Sequence, residues 1–200
     1  MLSRIVYLFW KVICLFITLA LCIHGFSPLQ PAQAAICTVT NDDDSGAGTL
    51  WALLADPTCD SITFASAMTI HLANPLWIDT GRTVTIDGSD QEVNITDDNF
   101  RRVITVASGA DATLQNITIT QGSNEDYFVA SEGAISESSL IPNFGTLRII
   151  SSTVNGKPTM SAGMVGSGIM NRGTLIVDQS TFTGHSALGG AAIYNDGYMS

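Results

Sequence analysis

The chain has 200 residues, of which 18 are Asp or Glu and eight are Lys or Arg, for a net charge of −10. A surface this acidic repels phosphate backbones, so nucleic acid is not an expected partner. The length suits a single domain, and the apolar fraction of 46% is sufficient for a hydrophobic core.

The first segment, residues 1–34, has the pattern of a secretory signal peptide. Arg4 and Lys11 precede the apolar run Val12–Ile23, and Ala32–Ala34 supplies a small-x-small cleavage site. The alternative is an uncleaved membrane anchor, but this run is shorter than the roughly 20 apolar residues that span a bilayer. Cleavage would leave six basic and 18 acidic residues and no second membrane-spanning stretch. We therefore expect a secreted or cell-surface protein, either extracellular or attached to an outer membrane.

Two cysteines remain after the predicted cleavage, Cys37 and Cys59. An even number of cysteines in an exported chain predicts a disulfide bond between them. The loop it would close stabilises the fold by about 3 kcal/mol through the entropy of the unfolded chain. The alternative is a pair of free buried thiols, and two cysteines without a nearby histidine do not match a zinc site.

Residues 35–75 are predicted to form an N-terminal cap. Ile36–Thr40 alternates like a strand, an acidic turn-rich loop follows, and Thr49 is the expected N-cap of a short helix over Leu50–Ala55. This helix is more apolar than a solvated helix tolerates. Such a helix is suited to covering the apolar end and the unpaired strand edges of a stacked β-structure.

The remaining residues, 76–200, contain a repeat. The unit Asn-x-Gly begins at Asn143, Asn171 and Asn195. Each copy is followed or preceded by a segment that is rich in Val, Ile, Thr and Leu, as strands are. A period of two to three dozen residues indicates a solenoid whose units bury their apolar faces against one another. The unit is too short for a propeller blade and lacks the leucine-rich-repeat spacing. The predicted fold is therefore all-β, with coils of a parallel β-helix behind the cap.

The repeat also predicts a register. Thr83, Thr113, Thr146 and Thr174 are expected to mark one strand in successive coils. The inward residues of that strand are then Val84, Ile86, Leu114, Leu147, Ile149, Leu175 and Val177. The three asparagines of the Asn-x-Gly units are expected to form an internal ladder, with one side-chain amide bonding the next. We assign this ladder a structural role.

Several motifs resemble those of a bacterial family of secreted, right-handed parallel β-helix proteins. Thr38–Asn41, Asp44–Leu50 and Asp60–Phe64 are similar to the start of that family, whose cap carries a Ser-Leu-Arg-type helix. Gly189–Ile193 and Phe182–His185 are similar to the Gly-Gly-Ala-Ile and Phe-x-x-Asn repeats of polymorphic outer-membrane proteins. His185 stands where that family has Asn. The resemblance implies a right-handed β-helix and export; the family includes adhesins and proteins without an assigned activity.

Two irregular stretches interrupt the repeat and are candidates for recognition loops. One contains Tyr127 and Phe128, and the other is an insertion within Ser136–Pro142. Loops that project from a rigid scaffold often carry binding residues. The alternative is a tolerated insertion without a role.

The acidic residues Asp87, Asp90, Asp97 and Asp98 form the best candidate for a metal or sugar site. Polysaccharide hydrolases need two carboxylates, and lyases need Ca²⁺ held by carboxylates beside a basic side chain. The sequence carries no recognised catalytic motif here, so the interpretation as solvated turn residues is favoured. We predict no catalytic residue and no cofactor, with Ca²⁺ as the alternative.

The function predicted from the sequence is that of an exported adhesion, binding or structural module. Its expected ligand is a surface polysaccharide or a protein. The alternative is a polysaccharide lyase or glycoside hydrolase whose site lies in the acidic loops or beyond Ser200, and a third is the passenger segment of an autotransporter. Because Ser200 falls within a coil, we expect this chain to be part of a longer one.

Overall fold

The structure is a computed structural model that describes residues 35–89, 91–97, 102–121, 139–156, 168–185 and 191–200. These ranges contain one short helix, α1 (Leu50–Ala55). The strands are β1 (Ala35–Val39), β2 (Cys59–Phe64), β3 (Met68–Leu72), β4 (Leu76–Ile78), β5 (Thr83–Asp87), β6 (Val93–Asp97), β7 (Ile104–Val106), β8 (Asp111–Gln115), β9 (Thr118–Thr120), β10 (Ile141–Asn143), β11 (Thr146–Ile150), β12 (Thr153–Asn155), β13 (Ile169–Asn171), β14 (Thr174–Asp178), β15 (Thr181–Thr183), β16 (Ile193–Asn195) and β17 (Tyr198–Met199).

The strands coil into a parallel β-solenoid, which confirms the predicted fold class. Three strands make one coil, and the next three pair with them in parallel, from β2–β3–β4 to β14–β15–β16. The result is three sheets: sheet A (β1-β2-β5-β8-β11-β14-β17), sheet B (β3-β6-β9-β12-β15) and sheet C (β4-β7-β10-β13-β16). Five complete coils are stacked in this way.

The core is a stack of aliphatic side chains that alternate along each strand of sheet A. All but one of the residues predicted to point inward are at most 1% exposed, namely Val84, Ile86, Leu114, Leu147, Ile149 and Leu175. Val177, the exception, is partly buried: it lies on β14 in the last complete coil, beyond the two residues, Thr174 and Leu175, that pair with the short β17. Parallel strands stack these residues directly on one another, so each coil depends on its neighbours for burial.

One element of the predicted register is wrong. Thr83 pairs with Asp111 and not with Thr113, which instead lies between Thr85 and Arg148. The error is a slip of two residues. Because side chains alternate with a period of two, a two-residue slip does not change which residues of the strand point inward. The predicted core residues are therefore correct despite the slip.

The N-terminal segment holds the predicted helix and disulfide. Thr49 caps α1 by accepting a hydrogen bond from the backbone N–H of Ala52 at 3.3 Å, and the helix packs against β1, β2 and β4. Cys37 on β1 and Cys59 on β2 form the disulfide, with their Cα atoms 5.5 Å apart. Both β2 and β3 lie within the range predicted as a cap, yet they already pair with the next coil.

The Asn-x-Gly units stack at the corner between sheets C and A. Asn143 Nδ2 donates to Asn171 Oδ1 at 2.6 Å, and Asn171 Nδ2 donates to Asn195 Oδ1 at the same distance. The glycines are required by close backbone contact, since a Cβ on Gly173 would lie 2.0 Å from the carbonyl oxygen of Gly145. The ladder thus has the geometry expected of an internal structural device.

Candidate functional site

The corner between sheets A and B has an unusual backbone. In three successive coils two residues connect the sheets, and the first of them has a positive φ: 55° at Asn116, 48° at Ser151 and 49° at Gln179. An L-residue in this left-handed conformation costs roughly 1–2 kcal/mol relative to its usual one. Each of these side chains projects outward at the same point of its coil.

A ladder of inward serines stabilises these corners. Ser180 Oγ donates to the carbonyl oxygen of Asp178 at 2.8 Å and accepts from the Ser152 N–H at 3.1 Å. Ser152 Oγ in turn donates to the carbonyl of Ile150 at 2.8 Å and accepts from the N–H of Ile117 at 3.3 Å. These bonds satisfy backbone groups that the turn would otherwise leave unpaired in a buried place. The sequence signal was the Ser-Thr pair repeated at 152 and 180, to which sequence reasoning assigned no role.

A polar groove runs along this corner from the second coil to the fourth. Its volume is about 600 Å³. The corner of the second coil is longer than those of the next three coils, because β5 ends at Asp87 and β6 begins only at Val93. Residues of this turn line one end of the groove. Hydroxyl, amide and backbone groups line the groove, with one carboxylate, that of Glu92. The lining residues are Gly88, Ser89, Gln91, Glu92, Val93, Asn116, Ile117, Thr118, Ser151 and Thr153.

Asp87 fixes the orientation of the groove residue Asn116. Asn116 Nδ2 donates to Asp87 Oδ1 at 2.9 Å, and the Ser89 N–H donates to the same oxygen at 2.8 Å. Partial burial raises the pKa of Asp87, but the hydrogen bonds from Asn116 and Ser89 outweigh it and hold the pKa below its usual value. The carboxylate is therefore ionised at neutral pH and serves as an acceptor beside the groove.

The groove borders the flat outer face of sheet B. Alternation along the strands and the parallel register place two rows of side chains on this face. The first row is Thr69, Asn94, Thr118, Thr153 and Thr181; the second is His71, Thr96, Thr120, Asn155 and Thr183. Thr96 is 7% exposed, and the other nine are at least partly exposed. We call these ten residues the sheet B face.

The sheet B face carries no acidic side chain and no Lys or Arg. Seven of its ten residues are Thr. Thr120 Oγ1 donates to Asn94 Oδ1 at 2.9 Å, and Thr183 Oγ1 donates to Asn155 Oδ1 at 2.6 Å. In the described part of the chain the Nδ2 groups of these two asparagines have no protein acceptor. The face thus presents amide donors between rows of hydroxyl groups.

The residues proposed as metal ligands are not brought together where they can be described. Asp90 and Asp98 lie outside the described residues. Asp87 ends β5 in sheet A and Asp97 ends β6 in sheet B, so the whole length of β6, roughly 13 Å, lies between Asp97 and the turn that follows Asp87. Among the described residues no group of three or more His, Cys, Asp or Glu is placed to hold a metal ion.

One of the predicted recognition residues is misplaced. Pro142 lies within β10, is buried, and pairs with Met170 of β13, so it belongs to sheet C and not to a projecting loop. Because proline has no N–H to donate, the ladder of this strand is incomplete on one side: β10 pairs with β7 only at Asn143 and Val106, whereas all three of its residues pair with β13. Tyr127, Phe128 and Ser136 lie outside the described residues.

Arg82 has a structural role that the sequence did not reveal. Its guanidinium donates to the backbone carbonyls of Asp56 at 2.8 Å and Pro57 at 3.1 Å, and also to that of Cys59. It forms an ion pair with Asp60 at 3.4 Å, and its side chain is 10% exposed. Arg82 therefore ties the segment after α1, with its disulfide, to the second coil.

Comparisons with known proteins found no relative. No protein-family model matches the chain, and neither a curated protein nor a solved structure matches it. A separate finding concerns membranes: none of the helices in the described ranges has the length and apolar character needed to cross a bilayer.

Proposed function

We propose that this chain is a non-enzymatic binding module, exported to the cell surface or secreted, which contacts its ligand through the sheet B face and the adjoining groove. The uncharged, hydroxyl-rich sheet B face carries the proposal. On a chain with 18 acidic residues, ten neighbouring outward positions without one carboxylate form a distinct surface. Neutral hydroxyl and amide groups on a rigid sheet are suited to hydrogen-bonding an uncharged partner.

Export supports the same proposal. Residues 1–34 have the signal-peptide pattern, and the disulfide between Cys37 and Cys59 is typical of chains that fold in an oxidising compartment. The sequence also resembles secreted bacterial right-handed β-helix repeat proteins, including adhesins. We accordingly propose a right-handed solenoid in which β1 and α1 cap the first coil.

The experiment uses labelled secreted protein on intact cells and on insoluble polysaccharides. We expect saturable binding that is abolished in a variant carrying Thr120→Arg and Thr183→Arg, because two cations would enter the sheet B face. The matched control carries Thr85→Arg and Thr113→Arg on the outer face of sheet A. Thermal unfolding of both variants establishes that they remain folded.

Two results would contradict the proposal. Equal loss of binding in both variants would show that the sheet B face is not the contact surface. Release of reducing ends from the polysaccharides would show that the protein is an enzyme, which the proposal denies.

A further inference from the structure

The corner between sheets A and B, along which the groove lies, presents similar polar groups at regular intervals along the solenoid axis. In each of coils three to five, one outward residue at the corner is followed two positions later by a threonine of the sheet B face. These corner pairs are Asn116 with Thr118, Ser151 with Thr153, and Gln179 with Thr181. Parallel pairing sets the distance between them at roughly 4.8 Å per coil.

This interval restricts the shape of the ligand. A sugar residue in an extended β-1,4-linked chain advances by nearly the same distance, so successive rings can each meet one corner pair. A helical α-linked glucan does not keep this advance along a straight line. The groove also extends over three coils, which suits a chain and not an isolated monosaccharide.

Charge restricts the ligand further. The residues that line the groove include the acidic Glu92 but no Lys or Arg. The ionised carboxylate of Asp87 also lies beside the groove, where it accepts a hydrogen bond from Asn116. A polymer of uronic acids would bring carboxylates against these groups without a cation to pair with them, at a cost for each contact. A neutral chain of hydroxyl groups can instead donate to carboxylate and amide oxygens and accept from hydroxyl and amide donors.

We propose that the corner groove binds a neutral, extended, β-linked polysaccharide with its chain parallel to the solenoid axis. This inference rests on the proposed binding function and specifies its ligand class and its location. Within the groove, the third and fourth coils contribute the corner pairs Asn116 with Thr118 and Ser151 with Thr153, and the hydroxyls of consecutive sugars bond to these consecutive pairs. The longer turn of the second coil adds the polar groups of Ser89, Gln91 and Glu92. Bridging waters complete contacts that the side chains do not reach.

The test compares two matched double variants by calorimetric titration with cellohexaose. Ser151→Gly with Thr153→Val removes both hydroxyls of a corner pair inside the groove. Thr85→Val with Thr113→Val removes two hydroxyls from the outer face of sheet A, outside the groove lining and away from the sheet B face. Glycine accepts the positive φ of the corner and valine keeps strand propensity, so both variants are expected to fold. We expect the groove variant to weaken cellohexaose binding about tenfold or more and the control to change it less than threefold.

Maltohexaose and hexagalacturonate are the comparison ligands, and neither is expected to bind. Equal weakening by the two double variants would overturn the groove assignment while leaving a binding module in place. Tighter binding of hexagalacturonate than of cellohexaose would overturn the assigned ligand class. Absence of binding to every hexamer would overturn the inference, whereas the proposed function is decided separately by the cell-surface experiment.

Discussion

Replacing Asn171 by Ala is expected to destabilise the solenoid far more than the same change at Asn195. Both residues belong to the asparagine ladder, but Asn171 is 0% exposed and Asn195 lies on an exposed strand end. The Asn171 amide takes part in five hydrogen bonds, including one to each neighbouring ladder amide and one from the N–H of Gly173. Asn195 has two, and water can replace them after substitution.

The magnitude follows from these partners. The two bonds between ladder amides contribute about 1 kcal/mol each, and the N–H of Gly173 left without an acceptor costs about 1–3 kcal/mol more. We therefore expect Asn171→Ala to lower the free energy of unfolding by about 3–5 kcal/mol, and Asn195→Ala by about 1 kcal/mol. Urea titration of the disulfide-intact chain, followed by circular dichroism, measures the shift of the midpoint. With a slope of about 2 kcal/mol per molar urea, Asn171→Ala should move it by about 2 M. Similar shifts for the two variants would refute the view that burial makes the ladder stabilising.

Three further predictions test other parts of the fold. Leu175→Asp should abolish the cooperative thermal transition, because it puts a charge into the stacked core at a residue that is 0% exposed. The control Asp178→Ala, at an exposed position of the same strand, should leave the melting temperature unchanged, and equal melting temperatures for the two variants would contradict the register. Arg82→Met should lower the free energy of unfolding by about 2–4 kcal/mol, because methionine keeps the apolar stem but cannot make the charged hydrogen bonds to residues 56–59. An unchanged urea midpoint would show that this contact is not stabilising. Burial lowers the pKa of His185 from 6.5, and the hydrogen bond of this side chain to a backbone carbonyl offsets the effect only in part. As the pH falls, the unfolded chain therefore binds the proton before the folded chain does, and stability should decrease below about pH 6.5. His185→Asn should reduce the difference in melting temperature between pH 7.5 and 5.5, and an undiminished difference would assign it to other groups.

The sequence predicted the interior of the solenoid well because interior features are periodic. Core residues occupy every second position along each strand, and one Asn-x-Gly unit occurs in each of the last three coils. Asn171 could therefore be placed beside Asn143 from the sequence alone. The helix bounds followed from a local signal, the Thr49 cap and the polar residue after Ala55. Local capping chemistry and period-two alternation do not depend on the lengths of the intervening loops.

The candidate site could not be predicted in the same way because it depends on pairing across segments of unequal length. The two rows of the sheet B face come from five short strands, and their alignment is fixed by hydrogen bonds between coils. The slip at Thr113 shows how matching a residue type misleads such an alignment, since the residue that pairs with Thr83 is Asp111 and not a threonine. The corners were also not predicted, since Asn116, Ser151 and Gln179 take a left-handed conformation that glycine indicates strongly, asparagine only weakly, and serine or glutamine not at all.

The composition of the sheet B face is not accounted for by the contacts that hold the solenoid together. Internal contacts of Asn, Ser and close-packed Gly fix the backbone. The outward positions of sheet B add two side-chain hydrogen bonds between coils, from Thr120 to Asn94 and from Thr183 to Asn155. Strand propensity accounts for part of the threonine content, because β-branched residues suit a pleated surface. It does not account for the missing charges, since a merely solvated sheet commonly carries Lys and Glu, and the outer face of sheet A in this same chain has the ion pair between Arg148 and Asp111. An uncharged face beside a polar groove, on a chain this acidic, is therefore better explained by contact with a neutral ligand than by the requirements of the fold.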